Sequence, residues 1–320
     1  MDLHYLVDNL TNPALLFFFL GLIAVNLKSD LKIPENSSKF ISLYLLLAIG
    51  FKGGQELAHS IITSEIIWSL LFGVLLAFIV PIYCYYILRL KLSVENSGAI
   101  AAAYGSVSAV TFVTTISFLE LSQIAFGGHM VAVMALMEAP SIIVGVLLIS
   151  IYNKDAQTKT SFKTVIRHSL TNGSVVLIIG SLFVGYFTND AQAAGIKPFT
   201  TDLFKGFLAV FLLDMGITSG EKLKALLKKG WFTLSFAIII PVINGCLVAL
   251  ISGLFMEEIG NRLLMAILAA SASYIAVPAA MKLAAPKANP GLYIPMALAI
   301  TFPFNITLGM PLYLCIIECC

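Results

Sequence analysis

Two stretches decide the fold: Tyr104-Gly105-Ser106-Val107-Ser108-Ala109-Val110-Thr111 and Ser271-Ala272-Ser273-Tyr274-Ile275-Ala276-Val277-Pro278. Each is a cluster of small, hydroxylated or imino residues inside a long apolar run. Pro278 lacks an N–H and opposes helical backbone at Val277, and Gly105 relaxes the chain, so a helix is expected to break at both places. Non-helical backbone at membrane depth is tolerated only where it is buried in protein or lines a wet cavity. A half-helix that starts there offers unpaired N–H groups and the positive end of its dipole, which suits an anion. Gly105, Ser106, Ser108, Thr111, Ser271, Ser273 and Tyr274 are therefore the candidate substrate-binding residues. Neither stretch contains Lys or Arg, so dipoles and hydroxyls must hold the anion. Serines in membrane helices also serve close packing. That reading stays open for any one of them, while their matching placement favours a site.

The surrounding composition fixes the solvent. Of 320 residues 59% are hydrophobic and 11% charged, against about 25% charged in an ordinary soluble domain. So few charges exclude a soluble enzyme or a disordered chain, and a net charge of +2 is no nucleic-acid signal. The partner implied throughout is the lipid bilayer. Charge-free runs cover 12–27, 66–88, 96–119, 169–189, 230–256, 263–281 and 288–317, and flawed ones cover 39–52, 126–152 (with Glu138) and 204–220 (with Lys205 and Asp214). About 20 apolar residues cross a bilayer, so the expectation is an all-α integral membrane protein of ten spans. With both termini outside, 15 of the 19 basic residues fall in cytoplasmic loops; Lys52, Lys197, Lys205 and Arg262 do not. Asp2 and Asp8 precede the first span where a cleavable signal would be basic. Cys84 and Cys246 lie in apolar runs, and Cys315, Cys319 and Cys320 read as tail residues.

The chain also repeats. Leu47 to Gly54 aligns with Leu213 to Gly220, Ala102 to Ser106 with Ala269 to Ser273, and Met134-Ala135-Leu136 with Met296-Ala297-Leu298, at offsets of 162 to 167 residues. Trp68 and Trp231 open the third span of each half, and Pro81 and Pro241 are expected to interrupt it. Five spans per half is an odd number, so the second half must insert upside down: a 5+5 inverted repeat with spans 4 and 9 broken, the architecture of secondary transporters. The halves are 1–152 and 170–320, joined by a cytoplasmic linker at 153–169. Glu138 is an intramembrane carboxylate, functional by default. Its repeat equivalent is Thr301, with Asn305 one turn on, and the three form an oxygen set for a coupling Na+, or Glu138 carries a proton. Asp214, whose repeat partner is Ala48, reads as structural or as a subunit contact, and Lys52, Gln55 and Glu56 read as a solvated rim. The four histidines lie at helix ends or in loops, outside the serine clusters, and no HExxH occurs, which argues against a membrane enzyme.

In this order, Ile33-Pro34-Glu35, Ile49-Gly50 with Gly53-Gly54, Gly105 to Ser108 with Thr111, Phe118-Leu119-Glu120, Leu268 to Ser271 with Ser273 and Pro278, and Ala288-Asn289-Pro290 with Thr301 and Pro303 resemble the sodium-dependent bicarbonate transporter family, essentially end to end. The resemblance implies a mobile core (64–152 and 229–317) moving against a scaffold (12–56 and 170–222), a layout shared with bile-acid-type sodium symporters. It also implies Na+ as the coupling ion, no other cofactor, elevator-like movement, a homotrimer and a location in the cell membrane. Tyr274 stands where cyanobacterial members carry aspartate. Ala109, Val110, Ala276 and Val277 replace glycine–serine pairs, and the linker is shorter. The first functional expectation is Na+-coupled symport of bicarbonate or a small carboxylate. A bile-acid-like organic-anion symporter and a non-transporting membrane scaffold or sensor are the alternatives.

Overall fold

The computed structural model describes residues 11–152, 166–167, 170–227 and 230–319. Nearly all of the expected linker, the acidic N-terminal residues Asp2 and Asp8, Lys228, Lys229 and Cys320 lie outside the described residues. Among the described residues the structure is helical, without strands. In chain order the helices are α1 (Pro13–Asn26), α2 (Glu35–Ala58), α3 (Ser64–Leu88), α4 (Val94–Gly105), α5 (Ala109–Leu121), α6 (His129–Tyr152), α7 (Gly173–Phe187), α8 (Asp190–Lys197), α9 (Phe204–Leu227), α10 (Trp231–Ser252), α11 (Ile259–Ala270) and α12 (Ala276–Ala284). The last, α13 (Pro290–Cys319), is one long span.

Six helical stretches are long and apolar enough to cross a membrane: α3, α4 with α5, α6, α8 to α9, α10 and α13. Three more, α1, α7 and α11, are apolar but short. The 14 residues of α1 rise only ~21 Å, less than a bilayer core. The other expected spans fall short for identifiable reasons: α2 carries Glu35, Lys39, Lys52 and Glu56, and the ninth is split between α11 and α12. The lipid-facing surface is clearest on α3, where Ile67, Leu71, Leu75, Phe78 and Ile82 are exposed at helical spacing, and on α10 at Ile239, Ile243, Leu247 and Leu250. The residues of α4, by contrast, are almost all buried from Ser97 onward.

Proline placement departs from expectation. Both α3 and α10 run through Pro81 and Pro241 without interruption. A proline frees the carbonyl four residues back, and the fold uses that of Ala237, which accepts the Thr301 hydroxyl at 2.8 Å. In α13, Pro295, Pro303 and Pro311 recur every eight residues, and the helix absorbs them by widening to π geometry at Met296–Thr301 and Asn305–Gly309. The short helix α8 was not expected; Asn189 and Gln192 close its N-terminus in a reciprocal capping box. Arg262 is not a loop residue: it is buried at the start of α11, where its guanidinium bonds the Ala249 carbonyl at 3.0 Å.

Two helix pairs pack most extensively, α1 against α9 and α7 against α2. Glycines let their backbones touch. A Cβ on Gly216 would strike the Phe18 carbonyl, and one on Gly185 the Phe51 carbonyl. The apolar interior divides into two clusters. One gathers residues of α1, α2, α5, α9 and α11; the other gathers residues of α4 and α12; α3, α6, α10 and α13 contribute to both. The boundary between them runs through the two chain breaks.

Candidate substrate and ion site

The α4 helix ends at Gly105, and Ser106 turns extended (φ −83°, ψ −176°). A side chain at Gly105 would collide with the Pro81 ring and Ser141 Oγ, which explains the glycine. Ser108 then caps α5, its Oγ accepting from the Thr111 amide at 3.2 Å. In the other half, α11 ends at Ala270, and α12 resumes at Ala276 with Pro278 in its first turn, where no N–H is missed. The breaks cross and hold each other. The Ser273 amide donates to the Ala103 carbonyl at 2.8 Å, and the Ser108 amide donates to Ser271 Oγ at 2.9 Å.

Carbonyls at the ends of the first half-helices accept from side chains of neighbouring helices, that of Ala102 in addition to the Ser106 amide. Ser141 Oγ donates to Ala102 O at 2.9 Å, Asn244 Nδ2 to Ala269 O at 3.1 Å, and Asn305 Nδ2 to Ala270 O at 2.8 Å. Tyr83 donates to Asn244 Oδ1, and Tyr313 donates to Pro241 O at 3.0 Å, next to Asn305. Sequence reasoning missed Ser141, Asn244 and Tyr313. Asn244 was visible as the lone carboxamide in the run 230–256, three residues after a proline.

Between the breaks lies a cavity of about 20 Å³ lined by Ser108, Ala109, Val110, Ser273, Tyr274, Ala276 and Glu138, with Leu46 and Ser174 opposite. It can hold a water or a small ion. Ala109 and Val110 open α5 and Ala276 opens α12, so amides without an intrahelical acceptor converge on it from both halves. Glu138, in α6, has no hydrogen-bond or ion-pair partner among the described residues. Ser106 Oγ and Thr111 Oγ1 are buried beside the break with no hydrogen-bond partner among the described residues, at a cost of about 1–3 kcal/mol each, and neither lines the cavity. Gly105 and Ser271 shape the crossing and do not line the cavity. Thr301 and Asn305 do not line it either. The Thr301 hydroxyl bonds Ala237 O and accepts from Tyr104 at 2.7 Å, and Asn305 bonds Ala270 O. The expected oxygen triad is thus not gathered by any shared contact. Glu138 sits instead with Ser108, Ser273 and Tyr274.

A second, wider cavity of about 650 Å³ lies between α2, α9 and the second break. Its mouth carries exposed Lys32, Glu35, Lys39 and Glu221. Asp214, buried on its wall, accepts a hydrogen bond from Ser38.

At the opposite end of α2, Lys52 and Gln55 do not form a free rim. Lys52 Nζ pairs with Glu120 of α5 at 2.6 Å, and Gln55 Nε2 bonds Thr188 O at 2.6 Å. The ion pair is half-buried and joins α2 to the broken helix. Lys52→Met should leave Glu120 unpaired and raise thiol reactivity at a cysteine placed at Val131, which packs against Gly53; an unchanged labelling rate would mean that the pair does not hold this end of α2 in place.

The sequence profile of the Na+-dependent bicarbonate transporter superfamily matches residues 13–318. The chain belongs to that superfamily. A comparison with curated proteins gives no match. Membership in the Na+-dependent bicarbonate transporter superfamily, together with the apolar helices, makes the chain a multi-pass membrane protein of a transport family.

Proposed function

We propose that this chain is a Na+-coupled symporter of bicarbonate or a comparably small carboxylate, and that anion and cation meet at the crossed breaks, beside the small cavity between them. One observation carries the reading: two half-helix N-termini and the unpartnered Glu138 carboxylate share a cavity of about 20 Å³. The amides attract an anion, and the carboxylate repels it. Two unit charges 4 Å apart interact by about 4 kcal/mol in a protein-like medium. A Na+ beside Glu138 converts that repulsion into attraction, so each ion raises the affinity for the other.

A 5+5 inverted repeat accounts for the architecture. The α1–α9 and α2–α7 pairs exchange the first and second helices of the two halves and carry matching glycine contacts: Gly21 on Leu213 O and Gly216 on Phe18 O in one, Gly54 on Leu182 O and Gly185 on Phe51 O in the other. These helices form the scaffold, and the broken helices with α3, α6, α10 and α13 form the moving core. With both termini outside, the wide cavity opens to the cytoplasm.

The test is uptake of labelled bicarbonate, formate and a bile acid by proteoliposomes with and without an inward Na+ gradient. Na+-stimulated uptake of the small anions alone is expected; stimulation of none, or of the bile acid, contradicts the reading. Ser273→Ala removes a hydroxyl from the cavity and the bond it accepts from Val277 N at 3.4 Å. It should raise the KM for bicarbonate about tenfold, the equivalent of about 1.4 kcal/mol, with little change in the yield of folded protein. An unaltered KM would take Ser273 out of the site.

A further inference from the structure

We propose that the Tyr274 side chain is the wall between the two cavities, a gate that separates the ion site from the wide vestibule and limits how large an anion the site accepts. Tyr274 and its neighbour Ile275 line both the cavity of about 20 Å³ and that of about 650 Å³. Tyr274 also packs against both apolar clusters, on the boundary between them. Its ring stands edge-on to Phe302 at 6.3 Å, and Phe302 is backed by Phe18 at 5.7 Å.

The hydroxyl is weakly held. It donates to Met215 Sδ at 3.6 Å and lies within bonding reach of Ser108. A thioether is a poor acceptor, so the hydroxyl gives up little by leaving Met215 for Ser108 or for an anion oxygen. Met215 sits on α9 and Ser108 at the start of α5, so the ring spans the gap between the scaffold pair and the broken helix. A residue in this position closes the site when the hydroxyl points to Met215 and opens a path when the ring swings aside. It also sets the limit on substrate size, because no other aromatic ring lines both cavities.

The size limit rests on the symport reading given above; the wall does not, and the experiment separates the two. A reporter cysteine at Ala109, which lines the small cavity, is labelled with a charged methanethiosulfonate from the vestibule side in inside-out vesicles. Modification is read by peptide mass spectrometry, so the native cysteines do not interfere. Labelling should be slow with Tyr274 and with Tyr274→Phe, and about tenfold faster with Tyr274→Ala. Tyr274→Leu, which keeps an apolar contact for Phe302, should fall between and serves if the alanine variant does not fold. Equal rates in all four proteins overturn the proposal. In proteoliposomes, Tyr274→Ala and Tyr274→Leu should let pyruvate compete with bicarbonate where the parent and Tyr274→Phe do not. Competition by pyruvate in the parent itself overturns the size limit. Faster labelling in proteins that transport nothing supports the wall and counts against symport.

Discussion

Glu138→Gln is expected to abolish Na+-driven anion uptake while leaving the protein folded. The substitution keeps the size and hydrogen-bonding shape of the side chain and removes its charge. Glu138 has no partner among the described residues, so no ion pair is broken and no counter-charge is stranded. What is lost is the attraction for the cation and, with it, the linkage between the ions, typically about 1–3 kcal/mol or roughly 5–150-fold in affinity. The variant should still bind an anion, because the amide ends of α5 and α12 remain, but Na+ should no longer improve that binding. Glu138→Asp should restore part of the Na+ response. A Na+ titration of uptake in Glu138→Gln that overlays the parent curve would place the coupling ion elsewhere.

Gly185→Leu is expected to have the larger structural effect. In α7, Gly185 faces the backbone carbonyl of Phe51 in α2, so a side chain there has no flexible neighbour to push aside. Overpacking usually costs about 1–3 kcal/mol and more where backbone must move. Here two helices must part along an interface that also includes Gly54 against Leu182. Association of membrane helices depends on such close packing rather than on exclusion of water. Yield of monodisperse protein should fall severalfold, with a lower Tm in the fraction recovered. Gly180→Leu, on the same helix with open space around it, should behave as the parent does. Equal loss in both variants would mean that bulk on α7, and not the contact with Phe51, is at fault.

The broken segments were legible because Gly105 and Pro278 each fall beside a cluster of small hydroxylated residues inside a long apolar run, at matching positions of the two halves. Glu138 was legible because a carboxylate in such a run has few neutral explanations. The helix count was harder. The expected second span, 39–52, reads short because charges bound it: Lys52 is tied into the fold by Glu120, 68 residues away, and Lys39 is exposed at the mouth of the wide cavity. Pro81 and Pro241 looked like interruptions, yet the helices run on because partners such as Thr301 satisfy what the prolines free. The oxygen pair Thr301 and Asn305 followed from the repeat register. That register gives equivalence in sequence but not which way a π-widened helix turns its side chains, and in α13 they serve the breaks from behind. Asn244 and Ser141 act on carbonyls distant in sequence, which no local pattern reveals.

The most direct measurement of the central claim is the dissociation constant of bicarbonate for the purified protein with saturating Na+ and with an equal concentration of choline, at constant alkaline pH. Because linkage is reciprocal, the account predicts at least about a fivefold tighter constant in Na+, the same factor for Na+ when bicarbonate is varied, and no difference in Glu138→Gln. Identical constants in Na+ and choline for the parent protein would contradict it.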